Sequence, residues 1–325
     1  LNIVVVGLGS MGKRRIRLIK KYDSNIEIYG VDNNQERREE CEKKYNIEAY
    51  SSLNDLFDKI KINCAFVCTA PLSHSKIITQ CLERKIHVFT ELNLVSDEYD
   101  KNITLSKKNG VVLFMSSTFL YREEINKIRS LINEADCLLN YTYHVGQYLP
   151  DWHPWENYNN FFVGNKRSNG CRELFAIELP WLIDVFGDII KIDVVKSKMS
   201  NLNINYNDNY LVMVQHATGH KGVFIVDVVS RKAVRNLEIF GEKLFLQWDG
   251  SPEGLKIFDY HKKEEKTIQL YDKIDQLEQY SSFIVENAYF NEIVSFFETV
   301  NGNNEPIYSF EKDKSILKII DEIEA

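Results

Sequence analysis

The sequence predicts an α/β protein in two parts: a doubly wound parallel sheet over residues 1–120, then an α+β domain over 121–325 on a mainly antiparallel sheet. Two observations carry the first part. Apolar runs of strand length alternate with amphipathic helical stretches, as they do where parallel strands are joined by helical crossovers. The opening run Leu1-Asn2-Ile3-Val4-Val5-Val6 also breaks into Gly7-Leu8-Gly9-Ser10-Met11-Gly12, a glycine-rich strand-to-helix turn. A third observation carries the second part. Past the midpoint, strand-length runs dominate and helices return only near the end, as in an antiparallel sheet with helices on one face.

In the first part, strands are expected at 2–6, 26–31, 64–69, 86–90 and 111–115, and helices at 11–22, 34–45, 52–60, 74–84 and 97–108. The continuous run Val4-Val5-Val6 suits a strand buried on both faces. Ser52 and Ser96 are N-cap candidates, the second followed by acidic Asp97 and Glu98. Asn109-Gly110 closes a helix. In the second part a helix over 122–133 leads into the alternating Tyr141-Thr142-Tyr143-His144-Val145. A Pro/Trp/Asn-rich loop fills 146–160, and a helix follows at 172–186. Strands are expected at 191–199, 209–217, 222–230, 235–240 and 243–248, and helices at 282–300 and 310–324. Gly219 marks the hairpin between two of these strands.

At 325 residues the chain suits two domains, and 44% apolar with 27% charged residues is a globular composition. A net charge of −7 argues against nucleic acid or an anionic membrane as the main partner. No apolar run approaches the ~20 residues that span a bilayer. The N-terminal run ends in the glycine turn without a basic flank or cleavage site, so it reads as a strand and not a signal peptide. Cysteines 41, 64, 68, 81, 137 and 171 form no CxxC pair, so reduced core thiols in a cytoplasmic protein are expected, with Cys64 and Cys68 on one strand face. His216 and His220 straddle a turn, His87 reads as a strand-end histidine, and no metal site is expected.

The glycine turn points to a dinucleotide. Gly7 lets the chain leave the strand sharply, Gly9 lets the backbone approach a diphosphate, and Gly12 lets helix and strand pack closely. Ser10 and Met11 open the helix whose N-terminus faces the phosphates. Asp32, twenty residues past Gly12, stands where a carboxylate accepts from the adenosine ribose. That carboxylate repels a 2′-phosphate and favours NAD, while Arg37 and Arg38 keep NADP open. Lys13, Arg14, Arg15, Arg17, Lys20 and Lys21 read mostly as a solvated basic face, with Lys13 or Arg14 able to lean towards the diphosphate.

Four separated segments together resemble the glucose–fructose oxidoreductase / inositol dehydrogenase / MocA (Gfo/Idh/MocA) family over nearly the whole chain. They are the glycine turn with Lys13-Arg14, Cys68-Thr69-Ala70-Pro71-Leu72-Ser73-His74, Ile86-His87-Val88-Phe89-Thr90-Glu91, and Tyr289-Phe290-Asn291-Glu292-Ile293 with Ser295-Phe296. The resemblance implies a Rossmann domain followed by an α/β domain whose open sheet often pairs subunits, hence a homodimer or homotetramer. It also implies hydride transfer at a hydroxyl-bearing carbon of a sugar or cyclitol with NAD or NADP. It places Thr69, Pro71 and His74 along the cofactor, and Glu91 first in a Glu-Lys-Pro signature. Here that signature continues as Leu92-Asn93; the family's Asp and His on the site helix read Glu173 and Ile177, and its Asn-Tyr-Arg reads Thr118-Phe119-Leu120.

Taking a hydride from an alcohol needs a base for the hydroxyl proton, and Leu92 offers none. Candidates for the base are His153 and His144, since imidazole is the side chain whose ordinary range spans neutrality, then Glu173 and Glu178 if burial raises them. The cluster from His144 to Glu156 is dense in aromatic and polar groups; Tyr148, Asp151 and Trp152 suit a sugar, and Arg172 an anionic group on it. The alternative for that loop is a rigid surface connector. The expectation is an NAD-dependent oxidoreductase acting on a hydroxyl or keto carbon of a sugar derivative, with bacterial surface-sugar precursors one suggested class. The rivals are a redox-silent NAD- or sugar-binding homologue, which Leu92 favours, and transient oxidation leading to elimination or epimerisation.

Overall fold

The apolar alternation of the first third becomes a six-stranded parallel sheet. In the computed structural model, which describes residues 1–276 and 283–325, the first elements are β1 (Asn2–Val6), α1 (Ser10–Tyr22), β2 (Glu27–Val31), α2 (Gln35–Tyr45), β3 (Glu48–Tyr50) and α3 (Leu53–Phe57). Next come β4 (Cys64–Val67), α4 (His74–Glu83), β5 (His87–Thr90), α5 (Tyr99–Asn109) and β6 (Leu113–Met115). The strand order is β3-β2-β1-β4-β5-β6, all parallel, with the direction of winding reversing between β1 and β4. Every residue of β4 is buried, which a strand between two helical layers requires. Ser52 caps α3, its side chain accepting from the Asp55 N–H at 3.2 Å, and Gly110 ends α5 at φ 63°.

Two local expectations are corrected. Ser96 is not an N-cap: its carbonyl takes the Tyr99 N–H, Glu98 occupies the cap at φ 59°, and the helix starts at Tyr99. Cys68 does not share a strand with Cys64: β4 stops at Val67, although the Cys68 N–H still bonds the Val6 carbonyl at 2.8 Å.

The second sheet is built from β7 (Leu139–Gly146), which follows α6 (Glu123–Ala135), and from strands beyond α7 (Gly170–Phe186). These are β8 (Ile189–Ser197), β9 (Asn209–His216), β10 (Lys221–Asp227), β11 (Val234–Gly241), β12 (Phe245–Trp248), β13 (Lys256–Asp259) and β14 (Glu264–Thr267). The order is β14-β13-β12-β11-β7-β10-β9-β8. Only the β7–β10 pair is parallel among the described pairings. Tyr141 and Tyr143 point from β7 towards α7, where Tyr141 stacks on Phe186 at 4.4 Å and Tyr143 donates to Glu178 at 2.7 Å. Alternation puts His144 on the other face, with exposed Val195, Leu211 and Met213 on neighbouring strands.

Helices α8 (Glu286–Val300) and α9 (Phe310–Glu324) close the chain. The helix expected from residue 282 thus starts at Glu286, and position 282 lies outside the described residues. The chain forms two compact units, Leu1–Ser117 with Tyr289–Leu317, and Thr118–Ala288 with Lys318–Ala325. A single division at 120 therefore misses the return of residues 289–317 to the first unit. The cause is apolar: Phe296 of α8 packs edge-on against Phe66, Phe89 and Phe114 of the parallel sheet at 5.1, 5.6 and 5.6 Å. Among the described residues, no helix is long and apolar enough to cross a membrane.

Candidate active site

In the first unit the glycine turn is built as a nucleotide cradle needs. Gly7 sits at φ 92°, a conformation L side chains rarely adopt, and a Cβ there would lie 2.7 Å from the Cys68 carbonyl oxygen. On Gly12 a Cβ would fall 1.9 Å from the Gly7 carbonyl oxygen, whereas on Gly9 it would meet no described atom within 4 Å. Gly9 is the N-cap of α1; no described side chain caps that end, and its first turn holds no acid. Backbone donors without a protein anion are what a diphosphate completes, so these residues fit the group. Half-exposed Met11 takes a contact from the Arg14 guanidinium at 2.9 Å, while Ser10 is exposed.

Asp32 follows β2 and is 7% exposed. Its carboxylate accepts from the Leu8 N–H and the Asn34 N–H, both at 2.8 Å, which ties it to the glycine turn. Arg38 donates to the Asp32 main-chain oxygen at 2.8 Å, and the half-exposed Arg37 lies 3.8 Å from the carboxylate. A carboxylate so fixed, at the position the sequence reading gives to the ribose, would work against a 2′-phosphate. NADH is therefore expected to bind more tightly than NADPH, and Asp32→Ser to improve NADPH binding by roughly tenfold, since contact repulsion is worth about 1–4 kcal/mol between water and a protein surface. Fluorescence titration checks this; tighter NADPH than NADH in the unmutated protein contradicts it.

The segment after β4 holds Thr69, then Pro71 in a short 3₁₀ turn, then His74 at the start of α4. His74 is buried with Nε2 2.7 Å from the Thr69 carbonyl and Nδ1 2.5 Å from the Asn93 amide. Burial lowers its pKa, so the ring is neutral: Nε2–H donates to Thr69 and Nδ1 is left with a lone pair. Asn93 must then present its NH₂ to that lone pair, which also gives a partner to an amide nitrogen buried without one.

The basic face assigned to α1 is corrected in part. Arg14 is 2% exposed and Arg15 0%, because positions 12, 14, 15, 16, 18 and 19 form the buried side of the helix. Arg15 donates to Glu91 from Nε at 2.5 Å and Nη2 at 3.1 Å, and to Glu292 of α8 at 2.7 Å. Glu292 also accepts from the Ser116 hydroxyl at 3.0 Å and the Ser117 N–H at 2.8 Å. Lys13 turns to Glu40.

In the second unit the named groups separate by helix face. Glu173 and Ile177, four residues apart on α7, are both half-buried, while Glu178 is fully buried towards the sheet. Glu178 accepts from Arg235 at 2.6 and 2.9 Å, Tyr143 at 2.7 Å and Trp181 at 2.7 Å. Glu173 Oε2 is buried with no hydrogen-bond partner among the described residues, and burial pushes its carboxyl up to about 8. Arg172 is held by Asp321 at 2.7 Å and Glu324 at 2.5 Å.

His144 Nε2 lies 2.7 Å from Asp227, a partner the sequence reading did not single out. Burial alone would raise Asp227, but bonds from His144, the Val229 and Ser230 N–H groups and the Ser230 hydroxyl hold it below its ordinary value. Gly146 makes room, since a Cβ there would lie 2.6 Å from the Asp227 carboxylate. In the loop, His153 pairs with Glu156 at 2.8 Å and stacks between Trp155 at 5.1 Å and Phe161 at 4.5 Å. Trp152 donates to the Gln147 carbonyl at 3.2 Å, Asp151 is exposed, and the Arg231 guanidinium lies 3.7 Å over Tyr148. Three further histidines are partnered: His87 and His220 accept from the Val112 and Leu139 N–H groups at 3.1 Å, and His216 bonds Tyr141 at 3.0 Å.

Residues 1–117 match the profile of the Gfo/Idh/MocA family, an oxidoreductase family with an NAD-binding Rossmann fold. Residues 1–117 are thus an NAD-binding Rossmann domain of the type this oxidoreductase family carries. Over 334 aligned residues it is 23% identical to myo-inositol 2-dehydrogenase of Thermotoga maritima, covering 98% of this chain and 93% of that one. Its fold matches levoglucosan dehydrogenase in complex with NADH (TM-score 0.82, 14% identity, 100% of this chain and 95% of that one). It also matches the WlbA dehydrogenase of Bordetella pertussis in complex with NADH and UDP-GlcNAcA (TM-score 0.75, 14% identity, 99% and 95%). Both expected sheets and the NAD-binding domain are as the sequence predicts. Within the Gfo/Idh/MocA signature, Leu92 is half-buried, and Asn93 serves His74. Phe119 lies under the Arg235 guanidinium at 4.7 Å.

Proposed function

We propose that the chain is an NAD-dependent oxidoreductase that moves a hydride to or from a hydroxyl or keto carbon of a sugar or cyclitol, with Glu173 carrying the proton. One observation carries this reading: a carboxyl on the half-buried side of α7, with a buried oxygen lacking a partner and a pKa near 8. Such a group can hold or release a proton near neutral pH, which the task needs where the signature lysine is Leu92. NAD, held by Gly7, Gly9, Gly12 and Asp32, supplies the hydride acceptor or donor. The chain's own part is the proton: Glu173 takes it from the hydroxyl on oxidation and returns it on reduction. Glu178, in a buried ion pair with Arg235, and Arg172, paired with Asp321 and Glu324, we assign to support, and His153 to orienting substrate; His144, on the sheet face away from α7, we assign to its pair with Asp227.

The aromatic groups Tyr148 and Trp152, with Asp151 beside them, suit the C–H faces and hydroxyls of a ring polyol. The names myo-inositol 2-dehydrogenase and levoglucosan dehydrogenase, and the UDP-GlcNAcA held by WlbA, favour the same class. The test is absorbance at the NADH band with NAD and a panel of myo-inositol, levoglucosan, simple hexoses and nucleotide-linked sugars. Reduction of NAD by at least one member supports the reading. Tight NADH binding with no turnover across the panel counts against it and for the redox-silent homologue.

We also propose that the chain forms a homodimer or homotetramer through the sheet face carrying Val195, Leu211 and Met213, which are 68%, 41% and 55% exposed. Light scattering at micromolar concentration should give a multiple of the chain mass, and Met213→Glu should reduce it to one; a monomeric unmutated protein contradicts this. The six cysteines, all unpaired among the described residues, suit a reducing compartment, and we place the protein in the cytoplasm.

A further inference from the structure

Arg15 and Glu292 take no part in the chemistry above, yet both are charged and fully buried. Burying charge is costly unless each member is paired and hydrogen-bonded, and here Arg15 bridges Glu292 to Glu91. Arg15 grips Glu91 through two nitrogens, at 2.5 and 3.1 Å. Glu292 accepts from the same Nη2 at 2.7 Å and is itself fixed by Ser116 and Ser117. The Phe89 ring lies 4.5 Å beneath the guanidinium. Of the three charged side chains only Glu91 retains exposure, at 12%.

Sheet order says what that carboxylate faces. Nucleotides lie across the carboxyl ends of such strands. Asp32 follows β2, the glycine turn follows β1, Thr69 to His74 follow β4, and Glu91 follows β5, in the spatial order β2-β1-β4-β5. With adenosine at β2 and the diphosphate at β1, the other half of the dinucleotide runs towards β4 and β5. Three strand spacings, about 14 Å, separate β2 from β5.

We propose that Arg15 is a positioning residue: it and Glu292 lock the Glu91 carboxylate at the nicotinamide end, and so couple the diphosphate-binding helix to the orientation of the nicotinamide. This rests on NAD binding by the first unit and is independent of which substrate is used.

The test compares NADH with ADP-ribose, which keeps the adenosine and diphosphate and lacks the nicotinamide. In Arg15→Lys, which keeps the charge but not the two-pronged grip, NADH affinity should fall about tenfold, as for a lost charge-assisted bond. The emission of bound NADH should move towards that of free NADH, and ADP-ribose affinity should stay within about twofold. Glu91→Gln should behave alike, and Arg15→Lys should add nothing in the Glu91→Gln background. If Arg15→Lys does not fold, Glu292→Gln carries the same comparison. Equal losses for NADH and ADP-ribose, or additive losses in the double variant, would overturn the proposal by showing general damage. Unchanged NADH affinity and emission in both Arg15→Lys and Glu292→Gln would overturn it too. An unmutated protein that binds neither ligand would remove the cofactor reading, and this proposal with it.

Discussion

Glu173→Gln is expected to lower turnover by on the order of 10²- to 10⁴-fold, the usual worth of a positioned proton carrier, with NADH affinity unchanged because the cofactor residues lie in the first unit. Gln is close in shape and can still hydrogen-bond, so lost turnover reports the proton and not packing. The pH dependence should separate the two directions. Oxidation needs the carboxylate, so its rate should rise through about pH 8, where Glu173 titrates. Reduction needs the neutral acid and should fall through the same range. The variant should lose both inflections. A variant that keeps full turnover, or the same pH profile, assigns the proton elsewhere, with His153 the next group to test.

The same group makes a stability prediction whose sign is fixed by linkage. Burial raises Glu173 from 4.5 to about 8, so between those values the folded state holds a proton that the unfolded chain has released. Stability from this site is therefore complete below about pH 4.5 and declines as pH rises to about 8. Thermal unfolding should show the unmutated protein losing more stability between pH 5 and pH 9 than Glu173→Gln does.

Local spacing made the cofactor half legible. Gly7, Gly9, Gly12 and Asp32 fall within one strand–helix–strand unit, so their jobs follow from distances along the chain. Arg15 was misread because its charge outweighed its place on the buried stripe of α1, although its spacing from Gly12 and Ile19 marked that side. Its partner Glu292 is 277 residues away, and Asp227 is 83 residues from His144, distances at which one sequence carries no pairing signal. Two of the three missed strands fail for another reason. β3 has three residues, too few for a period, and β14 reads Glu-Glu-Lys-Thr with every residue exposed. A charged edge resists further pairing and leaves no apolar face to detect. Glu173 was legible as a carboxylate at the right place in the signature, but its burial was not.

Glu178 shows why a carboxylate near a candidate site needs its partners counted. Glu178→Ala is expected to destabilise the protein by about 3–5 kcal/mol, the cost of leaving a buried charge unpaired. That is a large part of the roughly 5–15 kcal/mol that keeps a domain folded. Three groups lose their acceptor together: the Arg235 guanidinium, the Tyr143 hydroxyl and the Trp181 indole N–H. Burial, and then the Glu178 charge, raises Tyr143, so the phenol stays protonated and its O–H has no other use there. Glu178→Gln keeps one acceptor oxygen and should cost less. Replacing Glu178 and Arg235 together with methionine should recover much of the loss, because two buried charges leave at once. Denaturant unfolding of the single and double variants measures the coupling directly. If the pair is support and not chemistry, Glu178→Gln protein that remains folded turns over at close to the unmutated rate; loss of turnover with stability unchanged would make Glu178, and not Glu173, the proton carrier on α7.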